Sequence, residues 1–232
     1  MTARRNLFDS YSDDDEMIAW TNRDRMPRVR VYRPRERLVV LGRGSDAVVE
    51  LDLAACTLEG IPVRKRRGGG CSVVLDPGNV IVSVALPLTG FGDNDRHFSR
   101  LTTWLISGIE KAAGAAFSSS SGLKPLSGLA WAGISDIVLG NRKIGGSCIH
   151  RTKDLLFYSS TILVDPDVSA YDRFLKHPPR EPDYRKGRGH GEFVGGLAPG
   201  AAEGDIDRFT KALRRILLPA EAMESVTIGK NR

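Results

Sequence analysis

Two cationic stretches beside runs of glycine are the residues best placed to do chemistry in this chain. Arg64, Lys65, Arg66 and Arg67 lead straight into Gly68, Gly69 and Gly70, and one residue, Ile144, separates Lys143 from Gly145 and Gly146. Glycine lets backbone approach a ligand closely, so a glycine run next to a cation suits a phosphate or a carboxylate. Neither stretch is a GxxxxGK[ST] phosphate loop or a GxGxxG dinucleotide turn, both of which open a helix. Here the glycines are contiguous and precede an apolar run from Val73. Taken singly, the first stretch reads equally as a glycine turn among solvated arginines and the second as a surface lysine.

The other reactive side chains point nowhere in particular. Cys56, Cys71 and Cys148 are an odd number without CxxC spacing, and His97, His150, His177 and His190 form no HxxxH or HxH pair. That argues against a disulfide framework and against a metal site built by protein alone. The net charge of +6 fits nucleic acid, an anionic substrate or an acidic partner alike. A nucleic-acid partner is set aside, because cations interleaved with aromatics on strands and a C2H2 spacing are both missing. The start is polar and acidic, with no apolar core for a secretory signal, and nowhere do about 18 apolar residues run together. A soluble, cytoplasmic protein without a membrane partner is expected.

Patterning indicates the elements that must position these residues. Residues 28–44, RVRVYRPRERLVVLGRG, predict a strand with a pause at Pro34. Residues 45–63 predict one short helix, capped by Ser45 or Asp46 and ending near Gly60. GCSVVLDPGNVIVSVALPL reads as a hairpin around DPGN. Leu101, Trp104, Leu105, Ile109 and Ala112 recur at helical spacing, SSSSGLKPLSG is a loop, and LGNRK is a tight turn between two strands. LLFYSSTILVD is a further strand, and Asp167 can cap a short helix after it. Residues 177–196, rich in proline, glycine and arginine, read as a mobile surface loop, and Ile206, Phe209, Leu213 and Ile216 mark a closing amphipathic helix. The expectation is one α+β domain over residues 1–232, with a mixed, largely antiparallel sheet flanked by helices. Residues 1–25 are expected to be a flexible lead-in, and no C-terminal accessory domain is evident.

Read together, KRRGGGCSVVLDPGN and KIGGSCIHRTKDLLFYSSTILVD resemble the two signatures of lipoate-protein ligase catalytic domains, within the biotin and lipoate ligase superfamily. The first signature is a basic pair, a glycine triplet, an apolar strand and a D-x-GN turn. The second is K-[ILV]-x-G-S-A, then TKD and an apolar strand containing GT. The resemblance spans about Arg28 to Leu217. Three departures stand out: Cys71 at a glycine- or alanine-like position, Cys148 where alanine is common after GS, and YSST in place of HHGT. The GRGRxGR loop typical of biotin ligases is not matched.

The resemblance implies the biotin/lipoate ligase fold and an ATP-dependent reaction assisted by Mg2+. Lipoate is activated to lipoyl-AMP and passed to a lysine of a lipoyl-carrier domain; some relatives use a separate accessory subunit. It places Arg66 at the anion-contacting arginine, with Arg67 a near alternative, and gives Gly69 and Gly70 the close approach to acyl chain and phosphate. Cys71, Ser72, Val73 and Val74 would line the nucleotide, Asn79 would stand near phosphates or magnesium, and Lys143 would be the catalytic cation touching acyl carbonyl and phosphate. Val73, Val82 and Ile144 line the acyl slot or are plain core. Cys71 and Cys148 leave open an octanoyl or lipoyl transferase that uses a cysteine thioester without ATP. The basic residues Arg180 to Arg188 are a candidate dock for an acidic carrier.

Overall fold

The strands fall into two sheets. The computed structural model describes residues 8–89, 94–117 and 128–218. The small sheet orders β1 (Asp9–Ser10), β4 (Val63–Lys65), β3 (Leu38–Leu41) and β5 (Val73–Leu75). The large one orders β2 (Arg28–Tyr32), β6 (Asn79–Pro87), β10 (Leu155–Leu163), β9 (Arg142–Arg151), β8 (Asp136–Leu139) and β7 (Leu129–Ala132). Every ladder of the large sheet is antiparallel. In the small sheet β4 runs parallel to β1 and β3. With the helices α1 (Ser12–Asp24), α2 (Ala47–Glu50), α3 (Leu53–Leu58), α4 (Asn94–Phe117), α5 (Val168–Phe174), α6 (His190–Phe193) and α7 (Glu203–Leu217), the class is α+β.

Three apolar layers follow from strand alternation. One face of the large sheet, including Val82, Ile144 and Tyr158, buries against Leu105 of α4 and Phe209 of α7. Its other face meets Met17 and Ile18 of α1 through Ala85 and Phe157, and meets the small sheet where Ile81 packs with Val40 and Leu75. The far side of the small sheet, with Leu41 and Val74, is covered by Leu51 and by Phe174 of α5. Val82 and Ile144 are therefore helix-packed core.

Several elements differ from the sequence reading, each for a local reason. Residues 28–44 make two strands in different sheets, because the chain crosses between sheets after Pro34. The DPGN turn likewise joins β5 of one sheet to β6 of the other and closes no hairpin. Asp76 fixes this corner by accepting from Gly78 N at 2.8 Å, Asn79 Nδ2 at 2.8 Å and Asp167 N at 3.1 Å. Residues 45–60 make two short helices because two aspartates each cap one: Asp46 accepts from Val48 N and Asp52 from Ala55 N. Residues 8–25, expected to belong to a flexible lead-in, supply β1 and α1. Asp13 and Asp15 in the first turn of α1 suit the positive end of its dipole. Residues 177–196 are ordered as well, with a 3-10 turn at Asp183–Arg185 and α6. The loop expected from Ser118 lies outside the described residues except for Gly128.

Candidate active site

Beyond β4 the chain folds back around its own cation. Arg66 N donates to Leu41 O at 3.0 Å, and the Arg66 guanidinium donates to the carbonyls of Val40 at 3.2 Å, Gly69 at 2.7 Å and Cys71 at 2.9 Å. Gly68 O accepts from Arg43 N at 2.9 Å, and Gly70 O from Ser45 Oγ at 3.3 Å. Four successive carbonyls, those of Gly68, Gly69, Gly70 and Cys71, are thus turned onto protein donors. A loop whose carbonyls are engaged in this way suits an anion, which free carbonyl lone pairs would repel.

The close packing needs glycine. A Cβ on Gly42 would lie 1.9 Å from Gly70 O, and Gly70 itself has φ of +89°. The far end of the loop is held by Glu50, a buried carboxylate that accepts from Ser72 N at 2.6 Å, Ser72 Oγ at 2.7 Å and Ser45 Oγ at 3.0 Å. Sequence reasoning missed Glu50, since one acid within AVVELD looks like the wet side of a helix.

Lys143 owes its direction to a β-bulge. The β8–β9 register shifts between Ile137 and Val138, so that Val138 pairs with Lys143 and Ile137 with Gly145. The extra residue, Ile144, turns into the α4/α7 core. The Lys143 ammonium then lies 2.7 Å from Asp136 Oδ1, and the Tyr184 hydroxyl donates to Asp136 Oδ2 at 2.8 Å. A Cβ on Gly146 would come within 3.0 Å of Lys143 Nζ, while one on Gly68 would come within 2.4 Å of Cys148 Sγ. Gly146 and Cys148 are two positions apart on β9, hence on one face and about 7 Å from each other. The glycine loop and Lys143 therefore share the sheet face opposite α4 and α7.

Residues 177–196 form a strap over this face. Arg185, only 5% exposed, stacks on the Phe193 ring at 4.8 Å and donates to Arg188 O. Arg188 donates to Asn141 O at 3.0 Å and Tyr184 O at 2.9 Å, Arg142 reaches Val194 O, and Gly195 N donates to Lys143 O at 2.9 Å. The strap also crosses the glycine loop, where the Cys71 thiol lies 3.7 Å from Arg180 O. Arg185 and Arg188 hold the strap in place and are unavailable for a docking surface; Arg180 and Lys186 are exposed.

The other expected site residues divide. Arg66 is an internal clasp and does not point outward as an anion contact, whereas Arg67 faces out and pairs with Asp15 at 2.5 Å. Gly69 and Gly70 lie in the loop with their carbonyls held by Arg66 and Ser45. Ser72 is tied to Glu50, Val74 is core at 1% exposure, and Val73 packs between the sheets. Asn79 is fully buried with its amide on Asp76, sealed in the corner between sheets. Among the described residues no group of three or more His, Cys, Asp or Glu side chains could hold a metal ion.

Burial sets the ionisation beneath the loop. Asp14 is 1% exposed and neither of its oxygens has a hydrogen-bond partner. Burial pushes its carboxyl up to about 7, against the downward pull of Arg66. Burial also raises the Cys148 thiol, again against Arg66. His150 is lowered by burial and by Arg67 and Arg43.

Comparison with known proteins places the fold and the family. A probable lipoate-protein ligase A of Mycoplasma genitalium is 23% identical over 162 residues, 70% of this chain and 44% of that protein. A lipoate-protein ligase A of Blochmanniella pennsylvanica is 26% identical over 163 residues, 65% of this chain and 39% of that one. The chain thus spans less than half the length of these curated relatives. A solved structure from an archaeal lipoylation system, a bi-partite lipoate protein ligase and its E2 lipoyl domain from Thermoplasma acidophilum, superposes with a TM-score of 0.64 at 19% identity, over 92% of this chain and 83% of that one. A lipoate-protein ligase A bound with ATP superposes with a TM-score of 0.63 at 21% identity, over 91% and 78%. At such identities the likeness shows the fold, that of the lipoate-protein ligases. Residues 8–231 match the model of the lipoyl protein ligase A/B catalytic domain, and the chain belongs to that family.

Proposed function

We propose that this chain is an ATP-dependent lipoate-protein ligase. A carboxylate oxygen of lipoate attacks the α-phosphorus of ATP, pyrophosphate leaves, and lipoyl-AMP forms. The amine of a carrier lysine then attacks the acyl carbon, AMP leaves, and the amine proton goes to solvent as the amide forms. Two anions must meet in the first step, and fixed positive groups in a dry site favour that meeting most as charge builds at phosphorus. Lys143 supplies a cation and the N–H side of Gly69 to Cys71 supplies oriented dipoles. The observation carrying this reading is that the four loop carbonyls are turned inward on the same sheet face as Lys143.

Magnesium is assigned to the reaction as the counter-ion that enters with the ATP phosphates, since the described residues hold no carboxylate cluster for a bare cation. The acceptor is a lipoyl-carrier domain, with a separate accessory subunit as in the bi-partite archaeal relative. ATP supply and three unpaired cysteines suit the cytoplasm. A cysteine thioester route is disfavoured: Cys56 and Cys148 are buried with raised thiols, and Gly68 lies directly on Cys148.

The test incubates the chain with lipoate, ATP and Mg2+, with and without a lipoyl-carrier domain and an accessory subunit, following pyrophosphate and carrier mass. Lipoate-dependent pyrophosphate release is expected, with Lys143→Ala at least ~100-fold slower and unchanged in circular dichroism. Octanoyl transfer from a carrier thioester without ATP, with an adduct on Cys71 or Cys148, would replace this reading by the transferase.

A further inference from the structure

We infer that Tyr184 is a positioning residue that governs how firmly Asp136 holds Lys143, and so how readily Lys143 engages an anionic substrate; this rests on the proposed role of Lys143. Asp136 is 7% exposed and faces two donors, the Lys143 ammonium on Oδ1 at 2.7 Å and the Tyr184 hydroxyl on Oδ2 at 2.8 Å. An incoming carboxylate or phosphate must compete with Asp136 for the same ammonium. Each hydrogen bond that Asp136 accepts elsewhere weakens its hold on Lys143, because the positive end of the donor dipole sits beside the carboxylate and repels the ammonium.

Tyr184 is well suited to that task. Burial and the Asp136 carboxylate push its hydroxyl far above the usual phenol range, so it stays a donor. Its ring packs on Phe193 at 5.2 Å, and its own carbonyl is held by Arg188, which also bridges to Asn141 at the β8–β9 turn. Arg185 and Arg188 both stack on Phe193. The strap thereby delivers one hydroxyl to the carboxylate that restrains the reactive cation. Gly146 leaves the room for this arrangement, since a Cβ there would lie 2.9 Å from Lys143 Cε.

The test measures Lys143 directly as well as catalysis. Trace labelling by acetic anhydride, read by peptide mass spectrometry, reports the availability of the Lys143 amine without any substrate. In Tyr184→Phe the Lys143 peptide is expected to label several-fold more slowly, and KM for lipoate to rise about tenfold with kcat little changed. A merely structural role would loosen the strap and expose Lys143, giving faster labelling. Asp136→Asn is expected to label faster than wild type, and adding Tyr184→Phe to it should change nothing further, because Tyr184 acts only through Asp136. Faster or unchanged labelling in Tyr184→Phe, or a further effect of that substitution in the Asp136→Asn background, overturns the inference. Absence of lipoate-dependent pyrophosphate release by the wild type overturns the proposed function and leaves the labelling result standing by itself.

Discussion

Asp14 shows how one buried side chain ties ionisation to the fold. Its carboxyl titrates at about 7 when folded against 3.8 ordinarily, so between those values the folded chain binds more protons than the unfolded one. Stability therefore falls as pH rises through that window, and the penalty is complete above about pH 7. Asp14→Asn is expected to stabilise the protein by roughly 4 kcal/mol near pH 8 and to change little near pH 3, as read from urea midpoints. The cysteines give a second residue-level test. Cys71 is half-buried at the loop surface, whereas Cys56 and Cys148 are buried with raised thiols. Iodoacetamide should modify Cys71 first and reach the other two only on unfolding.

The glycine loop and the strap act as elements rather than as sets of contacts. Gly42→Ala would place a Cβ against Gly70 O, so it should cost about 2 kcal/mol of stability and displace the cradle, lowering adenylate formation while Lys143 stays in place. Retained full activity in that variant would show that the loop backbone is not the anion cradle. Both glycine runs were legible in the sequence as places of close backbone packing, which the neighbours around Gly42, Gly68 and Gly146 bear out, and Lys143 as a cation beside the second run. The direction of the Arg66 side chain was not, because a guanidinium that clasps its own loop and one that meets a substrate have the same sequence. Glu50 was equally invisible: its importance comes from Ser45 and Ser72, which only the folded chain brings to it.

Across the whole molecule, helix periodicity and strand alternation foretold α4, α7, the β8–β9 hairpin and β10. They could not tell one sheet from two, since β2 with β3 and β5 with β6 are apolar runs parted only by a few turn residues, which read equally as a pause in one sheet and as a crossing to another. The N-terminal helix escaped because its acidic first turn hides Met17 and Ile18, which cover Ala85 and Phe157. Met17→Ala should therefore cost about 2–4 kcal/mol in chemical unfolding, whereas a surface helix would show almost no change. The shared sheet face brings the glycine loop and Lys143 together, and the joining of a carboxylate to the α-phosphate is the claim on which the account depends. Its most direct measurement uses lipoate labelled with 18O in the carboxylate, together with ATP and a lipoyl-carrier domain. The expected result is AMP carrying one 18O from the acid, because that oxygen bridges acyl carbon and phosphorus before the amine attacks. Modified carrier accompanied by AMP free of 18O would contradict it.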